Sequence, residues 1–116
     1  MTGRQSYLGG LAAEDIAARL YTEEGATILA HRWRSAAGEI DLIVVRGDLL
    51  IFVEVKARRT LSAAAHALSP RQQARLQAAI ESFLAETGRS LATEVRFDVV
   101  LVDRQGQVER IENALA

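Results

Sequence analysis

The chain has 116 residues and a formal net charge of −1, with 49 % hydrophobic and 25 % charged residues. This composition is typical of a single globular domain and excludes a disordered chain, and the near-neutral charge excludes a protein that coats nucleic acid by bulk electrostatic attraction. The absence of cysteine excludes disulfides and thiolate metal sites, and it fits a reducing cytoplasm.

The sequence shows no segment that would direct the chain to a membrane. The first residues lack the long apolar region of a signal peptide, and no apolar stretch is long enough to span a bilayer. We therefore expect a cytoplasmic protein without membrane contact. Residues 1–8 are predicted to form a flexible leader, and residues 9–116 are predicted to form one domain.

The first half of the chain predicts a helix followed by three strands. Apolar residues at helical spacing end at Gly25, which is a typical helix stop. Two later runs, rich in β-branched and aromatic residues, have the character of strands buried on both faces. The predicted elements are a helix at about 10–24 and strands at 26–33, 40–45 and 49–56.

Residues 46–49, Arg-Gly-Asp-Leu, lie between the last two strands and predict a tight hairpin turn, because glycine can take positive φ. A two-residue loop fixes the register and places Asp41 opposite Glu54, and Glu39 opposite Lys56. Since side chains alternate along a strand, all four are expected on one face. A three-residue turn would shift the register by one residue and separate them.

Carboxylates inside apolar strands need a physical reason. An isolated buried carboxylate costs several kcal/mol, and two of them opposite each other repel. A divalent cation between Asp41 and Glu54 would convert this repulsion into ligation. The alternative is a structural network in which Lys56 and an arginine neutralise the acids. It explains a Lys–Asp pair well, but not three carboxylates that converge on one lysine.

The second half of the chain begins with a strong helix signal. Ser69 suits the N-cap, Pro70 the first helical position, and Gln72 the return bond of a capping box. This helix is expected to end at Thr87, before a glycine. A strand at 95–102 and a short strand near 107–111 follow. The predicted fold class is α/β, a mixed sheet flanked by helices in the order αβββαβ, with the short strand as a further β element.

Several other side chains have two readings. Arg96 and Asp98 share a strand face, which favours a structural ion pair over catalysis. Trp33 favours a core or rim anchor over base stacking. Six arginines flank the strand pair and the second helix, and they predict either a basic rim for nucleic acid or scattered solubilising charges. These arginines are Arg32, Arg34, Arg58, Arg59, Arg71 and Arg75.

The carboxylate pattern resembles a known superfamily. Asp41 followed, on the next strand, by Glu54-Val55-Lys56 resembles the motif of the PD-(D/E)xK, restriction-endonuclease-like nucleases. A wider match, from about Gly10 to Ala114, resembles the YraN-like uncharacterised protein family. The matching segments in chain order are Gly38–Ile43, Phe52–Arg58, Ser69–Pro70 and Arg96–Val100.

The resemblance implies a restriction-endonuclease-like fold, similar to that of archaeal Holliday-junction resolvases, and a set of site residues. Asp41 and Glu54, with the backbone carbonyl of Val55, are expected to hold Mg²⁺ or Mn²⁺, and Lys56 to position or deprotonate the attacking water. Glu39 and Glu14 are expected to serve a second metal or to orient water. For Glu14 the alternative is an exposed carboxylate that favours the start of a helix.

The function implied is that of a metal-dependent nuclease that hydrolyses phosphodiester bonds of DNA, with branched recombination intermediates among its substrates. Cutting two symmetric strands of a junction would require a homodimer. The alternative is a non-catalytic nucleic-acid-binding or protein-adaptor domain that retains the fold. The chain departs from the family pattern at Arg32, where relatives carry asparagine, and at Gln72, where relatives carry lysine; these departures concern substrate contacts.

Overall fold

A computed structural model of the chain describes residues 2–59 and 69–114, with side chains described from residue 12 onward. Within these residues the chain forms two helices and five strands. They are α1 (Thr2–Glu23), β1 (Thr27–Ser35), β2 (Gly38–Arg46), β3 (Leu49–Ala57), α2 (Pro70–Glu86), β4 (Val95–Val102) and β5 (Val108–Ile111). The predicted order is confirmed, including the short final strand.

The strands form one mixed sheet in the order β1-β2-β3-β4-β5. β3 and β4 are parallel, whereas each other neighbouring pair is antiparallel. Parallel neighbours need a crossover connection, and the one between β3 and β4 carries α2. The predicted α/β class, a mixed sheet flanked by helices, is therefore confirmed.

The two helices cover opposite faces of the sheet. α1 packs with Ala17 and Tyr21 on one apolar cluster, and α2 packs with Phe83 on another. Side chains of β3 alternate between the clusters, with Phe52 towards α2 and Val53 towards α1, and both are fully buried. Burial on both faces explains why the β3 sequence is an almost continuous apolar run.

The first helix begins earlier than predicted. Its backbone is helical from Thr2, whereas the sequence indicated a start near residue 10. Gly9 and Gly10 lie inside the helix, and each costs only about 1 kcal/mol relative to alanine, so they do not end it. The assignment of residues 1–8 to a leader and 9–116 to one domain stays a prediction. Neither described helix has the length and apolar character needed to cross a membrane.

β1 and β2 contain an irregularity that predictions from strict alternation missed. The pairing register shifts between Ile28 and Ala30, and Arg32 has a left-handed backbone with φ of 49°. On β2, Ile40 and Ile43 pack on the same cluster although they are three residues apart. The alternation of side chains is thus broken next to Asp41, and the single face predicted for the four charged residues is not formed by regular pleating.

Candidate active site

The hairpin between β2 and β3 has the predicted two-residue loop. Arg46 pairs with Leu49, and Gly47 takes the positive φ of 60° that the turn requires. The predicted register holds as far as Leu42, which pairs with Val53. Regular pairing stops there, one residue before Asp41 and Glu54 would meet, although both strands continue.

Asp41 lies where the ladder of paired β2 and β3 residues stops. The backbone N–H of Val55 donates a hydrogen bond of 2.8 Å to Asp41 Oδ2. The Asp41 carboxylate thus accepts a hydrogen bond that a strand carbonyl would normally accept. This bond links the side chain of Asp41 on β2 to the backbone of β3. Burial raises the pKa of Asp41 to about 6; Glu14 and Glu39 add to the rise, while the Val55 hydrogen bond and Arg32 oppose it.

Glu54 follows on β3 and is partly buried. Burial raises its pKa to about 7, repulsion from Asp41 contributes next, and Lys56 opposes the rise. Among the described residues, Glu54 has no hydrogen bond or ion pair, and the same holds for Lys56. The charged form of Glu54 is therefore poorly stabilised by this part of the protein.

Glu14 of α1 reaches the same region. Its Oε2 accepts a hydrogen bond of 3.0 Å from Arg32 Nε, and its side chain is 18 % exposed. Its charge contributes to the raised pKa of both Asp41 and Glu54. The alternative, an exposed carboxylate at a helix start, is wrong because α1 begins at Thr2.

Glu14, Glu39, Asp41 and Glu54 form an acidic cluster, which can be compared with what a metal ion requires. Within residues 2–59 and 69–114, no three Asp, Glu or His side chains are arranged to hold a metal ion. Mg²⁺ is commonly bound by one or two carboxylates together with waters and substrate phosphates, so it does not need a cage made of protein alone. The carboxylates of Asp41 and Glu54 have the donor chemistry of such a partial site.

A cleft of about 200 Å³ lies between α2 and the sheet beside the cluster. Glu39 and Glu54 line it from the sheet, and Gln72 and Arg75 line it from α2. Gly38, Leu76 and Ala79 complete the wall. The cleft joins an acidic wall to a basic one, which suits a phosphate held near a cation.

The six predicted rim arginines have three different surroundings. Arg32 pairs with Glu14, and Arg34 Nε lies 3.5 Å from Glu39 Oε2, so both neutralise carboxylates of the cluster. Arg75 lines the cleft. The other three, Arg58, Arg59 and Arg71, are exposed. Arg58 and Arg59 follow β3 directly, and Arg71 lies in the first turn of α2.

Asp98 is a second buried carboxylate with a different environment. It is fully buried and accepts hydrogen bonds from Arg96 Nε and Nη2 at 2.8 and 2.9 Å, from the Tyr21 hydroxyl at 2.7 Å and from the Asn113 N–H at 3.1 Å. The predicted Arg96 ion pair is confirmed. The role of Tyr21 was missed, because 77 residues separate it from Asp98 and a lone tyrosine carries no local signal. Burial raises the pKa of Tyr21, which keeps its hydroxyl protonated as a donor.

Trp33 is an anchor, as predicted. Its ring packs edge-on against Phe83 of α2, with centroids 5.4 Å apart, and Phe83 packs in the same way on Phe52 at 5.6 Å. These contacts hold β1 and α2 against the same face of the sheet. Trp33 is therefore part of the apolar packing between α2 and the sheet.

Comparison with known proteins gives the family. The model of "Uncharacterised protein family UPF0102" matches residues 13–102. A UPF0102 protein of Cereibacter sphaeroides is 48 % identical over 116 residues, covering 100 % of this chain and 99 % of its own. One of Ruegeria pomeroyi is 46 % identical over 112 residues, covering 97 % and 91 %.

Among solved structures, that of Pyrococcus furiosus SfsA in complex with Ca²⁺ is similar with a TM-score of 0.38 and 19 % identity, covering 90 % of this chain and 62 % of that chain. The family match spans every residue of the acidic cluster and the cleft. Both family model and relatives agree with the resemblance that the sequence motifs indicated. The chain belongs to the UPF0102 family, the YraN-like family.

Proposed function

We propose that this protein is a metal-dependent nuclease that hydrolyses phosphodiester bonds of DNA. The observation that carries the proposal is the pair of carboxylates where the β2–β3 ladder stops. Asp41 accepts a hydrogen bond there from the Val55 N–H, and the partly buried Glu54 has a raised pKa to which the charge of Asp41 contributes. Clusters of carboxylates with perturbed pKa values beside a cleft are typical of functional sites.

The contrast with Asp98 supports a ligand site over a structural network. Asp98 is buried and accepts four hydrogen bonds from the protein. Glu54 is only partly buried and makes no hydrogen bond or ion pair among the described residues, although burial is the largest cause of its raised pKa. A carboxylate kept for stability would be satisfied like Asp98. The raised pKa of Glu54 supports a site that binds a ligand.

The residues have distinct roles in the proposed reaction. Asp41 and Glu54, with the carbonyl of Val55, would hold Mg²⁺ or Mn²⁺, which supplies charge stabilisation for the phosphate in the transition state. Lys56 follows Glu54 by two residues on β3, where its ammonium can orient the attacking water and balance negative charge on the phosphate. Arg75, across the cleft, can bind a neighbouring phosphate. Glu39 and Glu14 shape the field around the carboxylates.

The test is an endonuclease assay with Mn²⁺ on single-stranded, flap and four-way-junction DNA. We expect Asp41→Asn and Lys56→Ala each to lower the cleavage rate by at least about a hundredfold, as for other groups that stabilise a transition state. Glu109→Gln is the matched control, because Glu109 is an exposed carboxylate on β5. Cleavage that is absent, or equal in all four proteins, contradicts the catalytic assignment.

Symmetric cutting of a junction further requires a dimer, which sedimentation would detect.

A non-catalytic adaptor is the second candidate. It is favoured by the internal neutralisation of part of the cluster, since Arg32 pairs with Glu14 and Arg34 lies beside Glu39. An adaptor of this kind would bind nucleic acid or a protein without using a metal ion. Calorimetry distinguishes the two functions: a nuclease requires Mn²⁺ binding that Asp41→Asn abolishes, whereas the adaptor requires nucleic-acid or partner binding that neither Mn²⁺ nor Lys56→Ala changes.

A further inference from the structure

Arg32 has a backbone conformation that its residue type disfavours. It lies within β1, directly across from the Asp41 position, and its φ of 49° falls in the left-handed region. A Cβ atom is crowded there, so non-glycine residues in this region usually have a local reason. In this conformation Arg32 Nε donates a hydrogen bond of 3.0 Å to Glu14 Oε2 of α1.

The Arg32–Glu14 pair lies within the electrostatic range of the carboxylates that end the ladder. Arg32 lowers the pKa of Asp41, and Glu14 raises the pKa of both Asp41 and Glu54. Both side chains are partly shielded, with 34 % of Arg32 and 18 % of Glu14 exposed. The Glu14 carboxylate is therefore paired with the Arg32 guanidinium, which keeps its positive charge at every physiological pH.

We propose that Arg32 is a built-in counter-cation of the carboxylate cluster: it holds Glu14 and thereby limits the affinity of Asp41 and Glu54 for a divalent cation. This inference rests on the proposed function, because it assumes that the cluster binds such an ion. The guanidinium repels an incoming cation and also occupies the oxygen of Glu14 that could join the cation's ligands. The strained backbone is then a feature that places this charge.

The test is the dissociation constant of Mn²⁺, measured by calorimetry on the full chain at fixed pH and ionic strength. Arg32→Gln removes the positive charge, and we expect it to tighten Mn²⁺ binding about tenfold, which corresponds to about 1.4 kcal/mol. Arg32→Lys keeps the charge and is expected to stay within about threefold of the natural protein. If Arg32→Gln does not fold, Arg32→Asn removes the same charge with a residue that tolerates left-handed φ.

Arg46→Gln is the matched control for loss of a positive charge. Arg46 is on β2, the strand of Asp41, and its Nη1 lies 3.7 Å from Glu24 Oε1. It is roughly 16 Å along the strand from Asp41 at about 3.3 Å per residue, which exceeds the Debye length of about 10 Å at 0.1 M salt. We expect no change in Mn²⁺ affinity for this variant.

Glu14 supplies the second half of the test. Glu14→Gln alone leaves Arg32 without this partner and is expected to weaken Mn²⁺ binding. Arg32→Gln combined with Glu14→Gln replaces a neutral pair by a neutral pair and is expected to restore the affinity of the natural protein within about threefold. Such a cycle isolates the coupling of the two side chains from their separate effects.

Two outcomes would overturn the inference, and they can be told apart. If the natural protein binds Mn²⁺ and Arg32→Gln or Arg32→Asn binds it no more tightly, the role of Arg32 is wrong and the metal site stands. If neither the natural protein nor the Arg32 variants bind Mn²⁺, the metal site itself fails and the inference fails with it. Binding that appears only after Arg32 is neutralised supports it most directly.

Discussion

Glu54 is a residue whose ionisation opposes folding. Its pKa is raised from 4.5 to about 7 in the folded protein, with burial as the largest cause. Between these values the folded state keeps a proton that the unfolded state has released, so the free energy of unfolding falls as pH rises from about 4.5 to 7. Above about pH 7 the whole penalty is present.

Glu54→Gln should therefore stabilise the protein at pH 8 and have little effect at pH 4. We expect a gain of about 1–2 kcal/mol at pH 8, less than the full shift would give because the site is partly solvated. Urea unfolding at the two pH values measures it. Glu109→Gln, at an exposed position, should change neither value by more than about 0.5 kcal/mol. An equal effect of Glu54→Gln at both pH values would refute the assignment of a charge penalty.

At the residue scale, the strand register near the hairpin could be predicted, because it depends on residue spacing within one short segment. Counting from one hairpin turn predicted the register as far as Leu42 and Val53, but it did not predict the break in side-chain alternation next to Asp41. The left-handed backbone of Arg32 could not be predicted, because arginine rarely adopts it and no neighbouring residue signals it. The ion pair with Glu14 depends on how α1 crosses the sheet, which no local pattern specifies.

The second helix depends on its first turn. The Ser69 side chain accepts a hydrogen bond from the Gln72 N–H at 3.1 Å, and Gln72 Oε1 accepts one from the Ser69 N–H at 2.9 Å. We expect Ser69→Ala to lower the free energy of unfolding by about 1 kcal/mol, and Ser69→Gly by only a few tenths. Denaturant unfolding of the two variants checks this order. Equal losses would mean that the cap contributes little.

The first helix is joined to the centre of the sheet by one buried hydrogen bond, from the Tyr21 hydroxyl to Asp98 Oδ2 at 2.7 Å. Tyr21→Phe removes the donor and leaves a buried carboxylate with fewer partners, so we expect a loss of about 1.5–3 kcal/mol. The urea midpoint measures this loss. Thr22→Ala, at the next position, removes only an exposed bond to the Arg19 carbonyl and should cost less than about 0.5 kcal/mol. Similar losses in both variants would contradict the role of Asp98.

At the element scale, prediction succeeded where an element is specified by its own ends. The α2 boundaries follow from the Ser69 cap and the glycine after Thr87, and both lie where expected. The start of α1 was misplaced because the apolar spacing that indicated the helix begins only at Ala13. The contact between Arg110 of β5 and Glu24, at 2.6 Å, was also missed, since 86 residues separate the two. Such contacts are set by packing of elements, not by their sequences alone.

The whole molecule is nearly neutral, so the nucleic-acid binding that we propose would depend on a local surface. Arg71 is exposed in the first turn of α2, and Arg75 lines the cleft one turn later. If both contact phosphates, Arg71→Ala with Arg75→Ala should lower the slope of log affinity against log salt concentration by about 2. Fluorescence anisotropy at several salt concentrations measures the slope.

Arg19→Ala is the control for that measurement. Arg19 is an exposed arginine of α1, the helix that covers the opposite face of the sheet. Its removal changes the net charge by one without touching the cleft, and the salt slope should stay the same. A slope that falls equally for Arg19→Ala would show that binding follows net charge, and the cleft would then have no special part in it.

The parallel pairing of β3 with β4 has a consequence during synthesis. The chain emerges from the ribosome in order, so β1, β2 and β3 are complete well before residues 95–102 appear. Until then the inner edge of β3, with its run of Leu, Ile, Phe and Val, has no partner strand. An unpaired apolar edge is a template for association with other chains. The nascent protein is thus most exposed to aggregation while α2 is being made, and truncation before β4 should yield insoluble material.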